Sequence, residues 1–156
     1  MKAFRPHTKF CLYTFLTFIL VALSFLLRNY LALNCDNRNF LFVNIDFVKN
    51  TGAAFSLFQT HTHILIIISV VVLAAVVVYV AKHLKSLDNS TIILLSLFSA
   101  GILGNLLERI LDGFVTDYIR LTFVDFPIFN LSDMFINIAA FLIICNILFN
   151  NEKRNA

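Results

Sequence analysis

Apolar residues gather in four long blocks along the chain, at positions 11–27, 64–81, 91–107 and 134–149, and no charged residue falls inside any of them. Each block lies near the lower end of the roughly 17–25 apolar residues that carry a helix across the hydrocarbon core. Backbone polar groups in lipid must be satisfied internally, so four transmembrane helices are the expected solution. The third block differs from the others in holding Gly101, Gly104 and Asn105 near its C-terminal end. The first follows "MKAFRPHTK", the outline of a cleavable signal sequence. Its apolar stretch is longer than the about 7–15 residues of such a segment, and no A-x-A site follows, so a retained span is expected.

The segments between blocks carry a different period. In "FVNIDFVKN", Val43, Ile45 and Phe47 alternate with Asn44 and Asp46, which predicts a half-buried strand. In "FVTDYIRLTF", one face would hold Thr116, Tyr118, Arg120 and Thr122. The other would hold Val115, Asp117, Ile119, Leu121 and Phe123, so a carboxylate sits on an apolar face. Carboxylates are seldom buried without a partner. A slipped register or an ion pair with Arg109 or Arg120 would remove the anomaly without any function.

Composition agrees with a membrane protein. The chain of 156 residues is 60% hydrophobic and 13% charged with a mean hydropathy of +0.87, whereas soluble domains hold about 25% charged residues. Three scattered cysteines without a CxxC argue against a disulfide framework or a zinc site. No basic cluster interleaved with aromatics points to nucleic acid. Charge is unevenly distributed. Lys2, Arg5, Lys9, Lys82, Lys85, Lys153 and Arg154 face only Asp88 and Glu152 on one side, while the segments 28–63 and 108–133 hold five basic and seven acidic residues. The positive-inside rule then places both termini and the 82–90 loop in the cytoplasm and the acidic segments outside.

Two further features raise the question of chemistry. Asp133 stands at the mouth of the fourth block, where Ser132 or Asp133 would cap the helix. Intramembrane ionisable groups are also functional candidates by default. Gly101, Asn105 and Arg109 recur every four residues and share a helix face. Glycine there permits close packing, and the polar members could orient a carboxylate or hold a peptide carbonyl.

Three blocks, "NTGAAFSLF" (50–58), "GNLLERILDGFVTDY" (104–118) and "FNLSD" (129–133), resemble the signature segments of signal peptidase II in order, spacing and placement among four spans. That resemblance implies a single membrane-embedded peptidase domain over 1–156, mainly α-helical. It would have four transmembrane helices, a small extracytoplasmic β-cradle and cytoplasmic termini. The activity it implies is that of an aspartyl protease of the bacterial inner membrane, removing signal peptides from prolipoproteins just before the diacylglyceryl-modified cysteine. The catalytic pair would be Asp117 and Asp133. Asn50, Gly52, Asn105, Arg109 and Asn130 would support it or hold substrate. Neither metal nor other cofactor is expected, nucleic acid is not a partner, and globomycin-type compounds should inhibit. The "NTGAAFSLF" loop, with Phe55, would shape a lipid-facing groove.

The chain departs from the family pattern in three places. Ser24 and Arg28 stand where most members have Asp and Lys, Glu108 replaces an Asp, and Ser132 replaces an Ala. Two other classes compete. An ion conductor would need acids along a path through the bilayer, but none lies in the cytoplasmic halves of the spans. A non-catalytic assembly protein would have no use for two aspartates in motif register. His61 and His63, two residues apart, do not share a helix face, so a metal site there is not expected.

Overall fold

A computed structural model describes residues 4–35, 38–52 and 61–155. Four helices dominate: α1 (Pro6–Asn34), α2 (Thr62–His83), α3 (Asn89–Leu111) and α4 (Leu131–Asn155). All four are long and apolar enough to cross a membrane. Three short strands, β1 (Arg38–Asn39), β2 (Val43–Asn50) and β3 (Val115–Leu121), form an antiparallel sheet in the order β1-β2-β3. β1 and β2 lie between α1 and α2, and β3 lies between α3 and α4. The sheet therefore sits at one end of the bundle, where α1 and α3 finish and α2 and α4 begin.

Helix ends follow local chemistry. Pro6 opens α1, where its missing N–H costs nothing. Asp88 caps α3 by accepting from the Thr91 N–H at 2.7 Å. The same helix stops at Gly113, whose φ of +81° is the left-handed conformation that glycine adopts without strain. The helices run past the apolar blocks at both ends. α1 continues through Arg28 to Asn34, because a charge ends a hydrophobic run without ending a helix.

α3 is the central element. Over its apolar window 56% of residues are buried, against 11–22% in the other three, and it packs on α1, α2 and α4. Its partners are joined partly by small and polar residues. A Cβ at Gly101 would collide with the Ser132 carbonyl oxygen and the Ile136 side chain, and one at Gly104 would strike Ser132 Oγ. Backbones of α3 and α4 thus approach as closely as small residues permit. Tyr13 and Ser99 share a hydrogen bond of 2.7 Å across the α1–α3 seam, and Ser132 Oγ donates to Ser24 Oγ at 3.2 Å. At the other end of α1, Lys9 is buried and its Nζ donates to the carbonyl oxygens of Leu84 (3.1 Å) and Leu87. Outward, Phe15, Phe18, Leu26, Ile67 and Val71 are exposed. Such a surface would be a liability in water and is ordinary against lipid chains.

The sheet keeps the expected strands but not their strict alternation. Ile45 pairs with Ile119, yet Val48 pairs with Asp117, so β2 spends an extra residue between them. This bulge places Phe47 against Tyr118, with ring centroids 5.8 Å apart. Asp117 and Tyr118 are consequently both buried, at 3% and 1% exposure, although they point to opposite faces. The Tyr118 hydroxyl accepts from the Leu131 N–H at 3.2 Å, so the ring is closed over by the start of α4.

Candidate active site

The site lies where β3 meets the end of α3 and the start of α4. Neither candidate arginine pairs with Asp117. Arg120 binds Asp46 at 2.6 Å instead, and Asp117 takes amide donors, Asn50 Nδ2 on Oδ2 and Asn130 Nδ2 on Oδ1, each at 2.8 Å. Both amides are presented by short-range geometry. Asn50 ends β2, and its Oδ1 accepts from the Gly52 N–H at 2.9 Å, a local turn that fixes the amide plane.

Asp133 is half-buried in the first turn of α4. The capping arrangement differs from the expected one: Asn130, not Ser132 or Asp133, is the cap. Its carbonyl accepts the Met134 N–H at 3.2 Å and its Oδ1 accepts the Asp133 N–H at 2.9 Å. Asp133 Oδ2 returns the contact by accepting from the Asn130 N–H at 3.1 Å. This is a reciprocal capping box, with Asn and Asp in the places usually held by Ser or Thr and Glu. Asp133 Oδ1 accepts from Asn105 Nδ2 at 2.7 Å, and Asn105 Oδ1 in turn accepts from Asn130 Nδ2 at 3.2 Å.

Asn130 therefore touches both aspartates, one through its side chain and the other through its backbone N–H. It is itself only 2% exposed. Burial, reinforced by the charge of Asp133, pushes the Asp117 carboxyl up to about 6, against the opposing pull of the Asn50 and Asn130 hydrogen bonds. A proton is thus retained on the pair to near-neutral pH, a property of coupled carboxylates.

Arg109 completes the rim. It lies on the α3 face that carries Asn105, one turn on, and its Nη2 donates to the Gly52 carbonyl oxygen at 3.0 Å. Its Nε is buried and has no hydrogen-bond partner among the described residues. All seven residues singled out in the sequence thus meet in one network: Asn50, Gly52, Asn105, Arg109, Asp117, Asn130 and Asp133. Residues 53–60, including Phe55 and the rest of the expected lipid-facing loop, lie outside the described residues.

Three neighbours had no role in the sequence reading. Tyr118 is one. The others are Glu108 and Thr116: Glu108 Oε2 accepts from the Thr116 N–H at 2.7 Å and from Arg28 Nη1 at 3.1 Å. The departures at Arg28 and Glu108 marked the positions, but nothing in the local pattern joined residues so far apart.

Asn50 permits a direct test of the electrostatics. Its hydrogen bond stabilises the ionised form of Asp117, so Asn50→Ala raises that carboxyl further. In the parent, kcat/KM for peptide cleavage should fall as pH rises through about 6 and the shared proton leaves. In Asn50→Ala that falling limb should move to higher pH, with a lower plateau. A pH–rate profile checks it, and a shift to lower pH would contradict it.

Comparison with known proteins agrees with this architecture. The family described as signal peptidase (SPase) II matches residues 9–149. A lipoprotein signal peptidase of Streptococcus pneumoniae is 31% identical over 136 residues, covering 83% of this chain and 88% of the relative. One from Dehalococcoides mccartyi is 46% identical over 95 residues, covering 59% and 58% of the two chains. A bacterial membrane enzyme solved by the in meso method superposes with a TM-score of 0.80 at 27% identity, covering 90% of each chain. On this evidence of sequence and fold together, the chain belongs to the signal peptidase II family of aspartic peptidases.

Proposed function

We propose that this protein removes the signal peptide from bacterial prolipoproteins immediately before the diacylglyceryl-modified cysteine, with Asp117 and Asp133 as its catalytic dyad. The observation that carries the assignment is Asn130, which holds one carboxylate by its side chain and the other by its backbone. Two acids joined in this way, one with a proton affinity raised by burial and by its neighbour, form an acid and base pair around a single water.

The steps balance without any other group. The ionised carboxylate takes a proton from water as the water oxygen attacks the scissile carbonyl carbon. The protonated carboxyl gives its proton to the carbonyl oxygen, which yields a neutral gem-diol. Collapse of the diol breaks the C–N bond. The carboxyl that gained the water proton delivers it to the leaving amine, and the other carboxylate recovers a proton from the diol hydroxyl. Asn105 and Asn130 hold Asp133, and Asn50 and Asn130 hold Asp117. The Nε–H of Arg109, without a partner among the described residues, is a donor for a carbonyl of the extended substrate, and Gly52 supplies backbone beside it.

We place the sheet and the dyad at the outer face of the bacterial cytoplasmic membrane, with both termini and the α2–α3 turn inside, in agreement with the lysine and arginine bias. The whole chain acts as one membrane-embedded peptidase domain. A substrate cysteine carrying two acyl chains stays in the bilayer, so its preceding peptide bond lies at the level where α3 ends and α4 begins. The ion-conducting alternative has less support: both candidate acids lie at one end of the bundle. The test uses the purified full chain with a diacylglyceryl-modified prolipoprotein. Cleavage just before the modified cysteine, inhibited by globomycin, is the expected outcome. Cleavage elsewhere, or none, rejects the assignment.

A further inference from the structure

Among the described residues β3 is an edge strand: β2 covers one side, and the other side has no strand along most of its length. Backbone N–H groups on such an edge need partners. Here they receive two fasteners. Tyr118 and Ile119 donate to the Phe129 carbonyl oxygen at 3.0 and 2.8 Å, and the Phe129 N–H returns to Ile119 at 3.1 Å. Thr116, on the near side, donates to the Glu108 carboxylate. Asp117 is the residue between the two fasteners.

The second fastener is built from distant parts of the chain. Glu108 sits in the last turn of α3 at 5% exposure, a costly place for a carboxylate. Arg28 of α1 reaches across with Nη1, 3.1 Å from Glu108 and 3.3 Å from Asp112, the cap residue just past the end of α3. The guanidinium also lies 5.4 Å from the Phe25 ring centroid, which limits its freedom. Arg28 is thus held by α1 and by two acids, and Glu108 is held by Arg28. Only the link 112–114 separates α3 from β3, so a displaced Glu108 would release the strand one residue before Asp117.

We propose that Glu108, braced by Arg28, is a positioning residue for the Asp117 carboxyl, acting through the Thr116 backbone. This rests on the dyad assignment above. Arg28 and Glu108 are two of the three places where the chain leaves the usual family pattern, and the structure joins them to each other. The pair makes an α1–α3–β3 strut whose free end is the reacting group. A misplacement of about 1 Å at a reacting group costs on the order of 100-fold in rate.

Kinetics on the purified full chain with a lipid-modified prolipoprotein peptide test this. Glu108→Ala is expected to lower kcat by about 10- to 100-fold with KM changed less than about threefold, since a residue acting through the Thr116 backbone alters the reacting group more than substrate binding. Glu108→Gln keeps an acceptor for the Thr116 N–H and should recover most of that loss. Arg28→Met should lower kcat in the parent and add little in the Glu108→Ala background, because both act on one strut. Full kcat in Glu108→Ala, or a Glu108→Gln variant no better than Glu108→Ala, overturns the proposal. Should Glu108→Ala not fold, the Arg28→Met and Glu108→Gln pair decides: parental kcat in Arg28→Met, or a loss confined to KM, overturns it. Asp117→Asn separates the two levels. If that variant is inactive while Glu108→Ala is unimpaired, positioning alone fails; if it is active, the dyad assignment fails first.

Discussion

Replacing Asp117 or Asp133 by Asn should abolish prolipoprotein processing, by about 10²–10⁴-fold or more, the range for loss of a positioned acid or base. Each variant keeps the side-chain volume and leaves the neighbouring amides Asn50, Asn105 and Asn130 in place. Folding should therefore survive, and for Asp117 it should improve. The Asp117 carboxyl is raised from 3.8 to about 6 in the folded protein. A carboxyl raised in this way makes the folded state lose stability as pH climbs from about 4 to 6, by on the order of 3 kcal/mol, and the deficit persists above that range. Asp117→Asn removes the deficit, so its Tm should exceed the parent's at pH 7.5 and match it near pH 4. Cleavage by the purified variants and melting at two pH values measure the two effects together. Retained cleavage in both variants would falsify the dyad.

Asn130→Ala should be the next most damaging change. It deletes the amide donor to Asp117, the bond to Asn105 and the cap that receives the Asp133 N–H. Loss of the cap costs about 1 kcal/mol. The kinetic loss is larger, about 100-fold, because both carboxylates lose their common reference. Asn130→Ser distinguishes the two contributions. A serine hydroxyl still caps α4, but it is too short to bridge to Asp117 and Asn105. Thermal stability should recover in the serine variant while cleavage stays low. Equal recovery of both would make Asn130 a helix cap and nothing more.

The sequence pattern made some of this visible and concealed the rest for physical reasons. Four spans were legible because lipid tolerates almost no charge, so composition alone marks them. Their ends were not, since hydrogen bonding carries α1 six residues beyond Arg28 and α3 four beyond Leu107. Asp117 stood out because a two-residue period made it an anomaly. Tyr118 did not, because the bulge between Ile45 and Val48 that buries it leaves no local signature. The Asn130 cap was misread one turn late, since the apolar Leu131 resembles approach rather than helix. The ion pair with Arg109 or Arg120 that would have given Asp117 a purely structural reading does not form, and two amides hold the carboxylate without supplying a full countercharge. That difference suits a group that must gain and lose a proton.

Lys9 couples the first helix to the turn between the second and third. Its ammonium is satisfied by Leu84 and Leu87, carbonyl oxygens in the turn between α2 and α3. Within α1 itself that charge has no acceptor among the described residues. The start of α1 is therefore tied to the α2–α3 hairpin by a contact that neither segment makes alone. A single buried lysine thus pins three helices together at the end of the bundle opposite the site.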